Sequence, residues 1–280
     1  MESITVKDHS VSGEEFQLVF DEVLELYKTE PQPSLEKLPS YYESEDYISH
    51  TDAKRNLFEK IYHWVRTYML SKKMALVDFQ TKSDGKKVLD IGCGTGDFLA
   101  MAKKYKWEIA GVEPDVQARN IAKEKTGIEI HENNWLESIE ENTFDAITLW
   151  HVLEHVPDVE AQIALLKKII KPSGTIFVAV PNFKSHDAKH YKQFWAAYDV
   201  PRHLWHFSQK SIKLLFEKQH LEVVKTVPMK FDAYYVSLLS EKHKTGKMNP
   251  IKGFFRGFVS NFKAITSSEY SSLIYVIKNK

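Results

Sequence analysis

Residues Val88–Leu99 read VLDIGCGTGDFL, an apolar run followed by glycines at positions 92, 94 and 96. A buried strand that ends in so bare a loop and re-enters an amphipathic run, DFLAMAKKY, is the opening strand–turn–helix of an α/β sheet. The loop is stripped of side chains so that something can approach the backbone. A dinucleotide, a phosphate, or a ligand without phosphate are the candidates. A dinucleotide turn wants Gly-x-Gly-x-x-Gly, but Asp97 stands where the third glycine belongs. A phosphate loop would end in Gly-Lys-Ser/Thr, and this one does not.

Outward from the loop, strands and helices alternate. EIAGVEPD, IEIHENNW, FDAITLW and GTIFVAVPN read as further strands, with helices through VQARNIAKEKTG and from Asp158 to about Lys171. Pro172 stops that last helix, because the residue before a proline avoids helical geometry. After Pro181 come a tract rich in aromatics and histidines, a helix in SQKSIKLLFEKQH, a strand in EVVKTVPM and a final strand in SSLIYVIK. Upstream, a helix is expected from Thr51 or Asp52, with Leu57, Phe58, Ile61, Tyr62, Val65 and Met69 on one face. EEFQLVF and VLELYKT read as two short strands of a preface. The expected fold is α/β, a doubly wound, mostly parallel seven-stranded sheet with an antiparallel edge strand. A small β extension over 1–40 precedes one domain over 41–280. That domain carries a helical N-terminal cover and substrate-side insertions at 182–208 and 231–268.

The 280 residues hold 38 basic and 38 acidic side chains, so no global field draws the chain to nucleic acid. The one cysteine, Cys93, excludes an internal disulfide and fits a reducing compartment. With neither a long apolar run nor a leader pattern, the chain is expected to be soluble and cytoplasmic.

An acid at the mouth of the glycine loop opposes a pyrophosphate and suits a ligand with an ammonium and a sulfonium. Glu113 ends the second strand, where a carboxylate accepts from both ribose hydroxyls. Together they point to S-adenosylmethionine. VLDIGCGTGDFL, GVEPD, NTFDAITLWHVLEHVPD and LKKIIKPSGTIFVAVPN, in that order, resemble the motifs of class I S-adenosylmethionine-dependent methyltransferases. The likeness covers roughly residues 50–280 and is strongest to the branch containing ubiquinone-biosynthesis O-methyltransferases.

The resemblance implies an enzyme that methylates a small molecule, at oxygen, with lipid-linked or quinone-like molecules among the candidate acceptors; an RNA or protein methyltransferase and a non-catalytic S-adenosylmethionine-binding regulator are the alternatives. It places Asp90 and the backbone of Gly92, Gly94 and Gly96 at the methionine end, and Glu113 on the ribose. Pro114 and Asp115 shape the adenine edge, with Asn134 and Trp135 beside the base. Asn134 stands where the family has an aspartate, and Trp135 either stacks on adenine or fills the core. Trp150 would border the methionine.

Two histidine clusters compete for the role of base. HVLEHV offers His151, Glu154 and His155 after the fourth strand, His151 facing substrate and His155 acting either as base or as a structural tie. YDVPRHLWHF offers Tyr198, Asp199, Arg202, His203 and His206, with Arg202 orienting the acceptor and one imidazole as base. HVLEH lacks the HExxH order, so no metal is assigned.

Relatives in that branch often begin with a small zinc ribbon. Here His9, Ser12, Asp21 and Leu24 occupy the cysteine positions, which predicts a metal-free remnant. The basic segment KTGKMNPIKGFFRGFVSNFKAI puts Phe254, Phe255, Phe258, Val259 and Phe262 on one stripe. That stripe is core, a lid on the pocket, or a lipid-docking face.

Overall fold

The computed structural model describes residues 3–34, 36–42, 57–81 and 85–280, without the side chains of residues 57–64. The expected caps Thr51 and Asp52 therefore lie outside the described residues, as do the side chains of Leu57, Phe58, Ile61 and Tyr62.

The VLDIG run forms a strand, Lys87–Ile91, which pairs in parallel with Glu108–Val112 on one side and Phe144–Trp150 on the other. Three short strands precede it, so these are β4, β5 and β6. The main sheet continues through β7 (Ile170–Pro181), β10 (Ser272–Asn279) and β9 (Leu221–Pro228), in the order β5–β4–β6–β7–β10–β9. Strand order reverses between β4 and β6, and the crevice outside their carboxyl ends is where such sheets bind ligands.

Successive side chains alternate faces, and each face has its own helices. Val88, Ala146, Phe177 and Val276 pack with Met74 and Val77 of α1 (Leu57–Gln80) and Phe98 of α2 (Asp97–Lys104). Leu89, Ile147, Ile176 and Tyr275 pack on the other face with α4 (Val159–Ile169) and α6 (Gln209–Glu217). After β5 comes α3 (Val116–Thr126), which packs on α2 and is capped by the Asp115 carboxylate on the Ala118 N–H at 2.7 Å.

Two details of the expected sheet change. The ladder has six strands, because IEIHENNW contributes a single parallel bridge, Val112–His131, before the chain turns into a 3-10 helix. The antiparallel strand is also not at the edge: β10 lies between β7 and β9, antiparallel to both. Burial explains the order. Ser272–Lys278 is nearly all buried, as a strand covered on both faces must be, whereas β9 is half exposed and suits the rim.

The preface forms β1 (Ile4–Lys7), β2 (Glu15–Asp21) and β3 (Leu26–Glu30), one strand more than expected. A fourth strand, β8 (Trp205–His206), comes from the 182–208 insertion and pairs antiparallel with β3. Extension and insertion are thus one packed unit, sharing the core of Phe16, Tyr27, Phe183, Trp195 and Tyr198. The four positions aligned with ribbon cysteines have other partners. His9 stacks on His243 at 4.4 Å, the Ser12 hydroxyl donates to Asp8, Asp21 caps the β2–β3 turn, and Leu24 is buried.

A helical hairpin, α7 (Asp232–Thr245) and α8 (Pro250–Ser267), fills the 231–268 insertion, and α5 (His186–Tyr191) packs beside it. Among the described residues no helix is long and apolar enough to cross a membrane.

Candidate active site

The three glycines approach three different things. A Cβ on Gly92 would lie 2.5 Å from Val152, and one on Gly96 would lie 2.9 Å from Ala122 of α3. Gly94 has φ +53°, and a Cβ there would meet no atom of the described residues within 4 Å. The first and third glycines let the protein pack on itself. The middle one leaves open space at the switch point of the sheet. Glu113 stands beside it: Oε2 accepts the Gly94 N–H at 2.8 Å and Oε1 accepts the Asp115 N–H at 3.0 Å. Burial pushes this carboxyl up, against the pull of those two amides. Each oxygen keeps a second lone pair for a hydroxyl. The Gly94 N–H is engaged by Glu113, so the loop offers a ligand its shape more than its donors.

Asp90 is buried and accepts the Thr148 hydroxyl at 2.5 Å, and burial raises its pKa to about 7. Trp150 ends β6 with its Nε1 buried and without a hydrogen-bond partner among the described residues. Its ring meets Phe98 edge-on at 5.3 Å. Trp135 is half-buried and stacked on His131 at 4.0 Å, Asn134 is exposed, and the Pro114 carbonyl is held by Arg119 at 2.7 Å. Asp97 does not face the crevice as a free acid. Arg66 of α1 and Lys125 of α3 both pair with it, so it ties three helices together. Its charge, neutralised by these two cations, does not by itself oppose a pyrophosphate.

On the other side of the crevice, Val152, which fills the space above Gly92, leads into a 3-10 turn over Leu153–His155. His155 Nδ1 lies 3.0 Å from the Arg202 carbonyl and 3.0 Å from the Tyr42 hydroxyl. A carbonyl only accepts, which assigns the proton to Nδ1 and the lone pair to Nε2. His203 is fixed the same way, with Nδ1 2.9 Å from the Ala197 carbonyl, and the two rings meet edge to face at 4.6 Å. Burial and the neighbouring His203 lower the His155 pKa to about 4. Glu154 is fully buried, and its Oε1 lies 3.3 Å from His151 Nδ1 as an ion-pair contact. The ligating atoms of Glu154, His155 and His203 all lie within 4.8 Å of one another, which makes them the described group able to hold a cation.

The rest of the second cluster is engaged within the preface and the insertion. His206 pairs with Tyr27 in the small sheet and lies 2.9 Å from the Thr29 hydroxyl; burial drives its pKa well below the usual value. Tyr198 is buried in the small core. Arg202 is buried and its guanidinium is fully engaged. It reaches Asp199 at 2.6 and 3.0 Å, Asp8 at 3.0 Å and the Tyr41 carbonyl at 2.9 Å. It joins the preface to the insertion and is not free to orient an acceptor. From this tract the His203 ring, the Arg202 carbonyl and the Leu204 N–H meet the turn that carries Glu154 and His155.

A family model described as a methyltransferase domain matches residues 61–226, more than half of the chain. The chain belongs to the methyltransferase domain family. Over 105 residues it is 37% identical to a ubiquinone biosynthesis O-methyltransferase of Aliivibrio fischeri, covering 35% of this chain and 45% of that protein. A protein of the same name from Haemophilus ducreyi is 32% identical over 117 residues, 37% of this chain and 50% of its own. The chain thus spans about half the length of the curated relatives it matches. A solved S-adenosylmethionine-dependent methyltransferase from Archaeoglobus fulgidus superposes with a TM-score of 0.54 at 17% identity, over 80% of this chain and 98% of that one. Magnesium protoporphyrin IX methyltransferase from Synechocystis gives 0.54 at 12% identity, over 88% and 94%. At these identities the superpositions establish a shared fold.

Two residues of this methyltransferase domain escaped the sequence reading. Lys73 of α1 places its Nζ 4.5 Å from the Trp150 ring, within the fields of Asp90 and Asp232, and burial lowers its pKa. Asp232, the first residue of α7, lies 3.3 Å from His151 Nε2, while Glu154 lies 3.3 Å from His151 Nδ1. Burial opposes charge on that ring, but the two carboxylates outweigh it and raise the pKa to about 9. His151 is therefore a cation at neutral pH and His155 is not, although they sit four residues apart. The stability His151 contributes is complete below its ordinary value of 6.5 and is lost as pH rises through about 9. His151→Gln is expected to remove that alkaline decline from a plot of Tm against pH. An unchanged plot would mean that the pairing with Asp232 and Glu154 does not hold in solution.

Proposed function

We propose that this chain transfers a methyl group from S-adenosylmethionine to an oxygen of a small, quinone-like acceptor. The observation that carries the reading is Glu113, fixed by two backbone amides beside the open cradle of Gly94. The family match supports the reaction, and the names of the relatives support oxygen and a ubiquinone-like acceptor. The cofactor supplies a sulfonium whose methyl passes to the nucleophile as the C–S bond breaks. The protein binds, orients and takes up a proton. Glu113 accepts from the ribose hydroxyls, and Lys73 and the Trp150 N–H stand ready for the methionine carboxylate. Neutral His155, whose Nε2 has no hydrogen-bond partner among the described residues, takes the proton from the acceptor hydroxyl.

Glu113→Ala is expected to weaken S-adenosylhomocysteine binding by about 1.5–3 kcal/mol, as the loss of a charged hydrogen-bond acceptor. Equal affinity in wild type and variant, measured by calorimetry, would remove Glu113 from the site. Activity is tested with labelled S-adenosylmethionine and a panel of phenols, catechols and hydroquinones, with and without EDTA. Transfer to a phenolic oxygen that survives EDTA is the expected result. Transfer abolished by EDTA and restored by magnesium would shift the deprotonating role to a cation on Glu154, His155 and His203. Cofactor binding without any transfer across the panel would make the chain a sensor.

A further inference from the structure

α8 is apolar on the side that faces away from the protein. Gly253, Gly257, Ser260 and Ala264 form its buried face. A Cβ on Gly253 would lie 2.8 Å from the Leu238 backbone of α7, and one on Gly257 would lie 2.7 Å from that of Tyr234. The Ser260 hydroxyl donates to buried Asp187 at 2.6 Å, and the Ser271 hydroxyl and Trp195 Nε1 donate to the same carboxylate. That side of the helix is fixed by contacts a larger residue would break. On the opposite side Ile251, Phe254, Phe255, Phe258, Phe262 and Ile265 are between 51% and 83% exposed. At 100° per residue these six fall within a stripe roughly 100° wide. The stripe is neither core nor a lid over the crevice.

Charge indicates what covers it. From residue 242 to residue 268 the chain carries Lys242, Lys244, Lys247, Lys252, Arg256 and Lys263 and no aspartate or glutamate, within a chain of zero net charge. On the helical wheel Lys252, Arg256 and Lys263 lie together along one flank of the stripe. A phenylalanine stripe bordered by lysine and arginine is the pattern of a helix lying in a membrane interface, rings among the acyl chains and cations on the headgroups. Face-to-face pairing of two copies would instead bring two sets of these cations together.

We propose that α8 docks this protein on an anionic lipid surface. The docked hairpin is attached to the crevice, since α7 starts at Asp232, the partner of His151. The inference needs no assumption about the acceptor, and a binding assay tests it apart from catalysis. Wild-type protein is expected to co-sediment with phosphatidylcholine vesicles containing phosphatidylglycerol. It should remain in solution with phosphatidylcholine alone, and salt should release it. The variant Phe255→Ser/Phe258→Ser/Phe262→Ser, and separately Lys252→Glu/Lys263→Glu, should each reduce binding more than tenfold. S-adenosylhomocysteine affinity serves as the check on folding, and the charge variant leaves every apolar contact in place. Wild-type protein that ignores anionic vesicles overturns the proposal, as does undiminished binding by both variants. Sedimentation showing a wild-type dimer that the phenylalanine variant dissociates, without vesicle binding, would assign the face to a second copy.

Discussion

His155→Asn is expected to slow methyl transfer by roughly 10²–10⁴-fold while leaving S-adenosylhomocysteine affinity nearly unchanged. Asparagine keeps an N–H for the Arg202 carbonyl, so the turn after β6 keeps its tie to the insertion. What it lacks is a lone pair on a titratable nitrogen. The two histidines of HVLEHV differ in what surrounds them. His151 sits between two carboxylates and holds a proton, whereas His155 has a carbonyl on Nδ1 and another imidazole at its edge. Environments that push paired titratable groups apart separate their chemical roles. A neutral imidazole can accept a proton at neutral pH; a charged one cannot. Single-turnover rates for wild type, His155→Asn and His203→Asn decide the assignment. A rate unaffected by His155→Asn and lowered by His203→Asn would move the base to His203.

Arg202→Ala is expected to destabilise the protein by about 3–5 kcal/mol, in line with breaking a buried ion pair from one side. The guanidinium is fully enclosed, and its removal leaves the Asp8 carboxylate buried without its cation. Backbone amides of Ser10, Val11 and Ser12 would still bind Asp8 and soften the loss toward the lower figure. Arg202→Lys should fall between, because an ammonium restores the charge without the fork that reaches Asp8, Asp199 and the Tyr41 carbonyl together. Chemical denaturation of the three proteins provides the numbers. A change below about 1 kcal/mol would place this arginine among pairs that contribute like exposed ones.

Much of the fold was legible because periodicity and turn chemistry report on backbone and burial. The β4 turn, the strand–helix alternation, Pro172 after α4 and the Asp115 cap are local features with local causes. Strand order at the far edge was readable too, though missed. SSLIYVIK is apolar throughout and EVVKTVPM mixes in charge, which already says which of the two lies inside. At individual side chains the difference has another origin: a sequence shows what a side chain is, not what has already claimed it. Asp97 looked like a ligand-facing acid and pairs with Arg66 and Lys125. Arg202 and His206 looked available and are held by the preface, whose third strand recruits Trp205–His206 across a long separation in sequence. Lys73 carries no motif or spacing that marks it, and only tertiary packing brings it beside Trp150. A helical stripe shows which residues share a side, but which side of α8 is covered was decided by its small residues fitting α7.

In the bare backbone of Val88–Leu99, the middle glycine and Glu113 are proposed to build a site for S-adenosylmethionine. Calorimetric titration of the purified protein with S-adenosylhomocysteine, and in parallel with NAD, tests it most directly. One S-adenosylhomocysteine should bind saturably per chain, with no heat from NAD. Saturable binding of NAD, or none of S-adenosylhomocysteine, would contradict it.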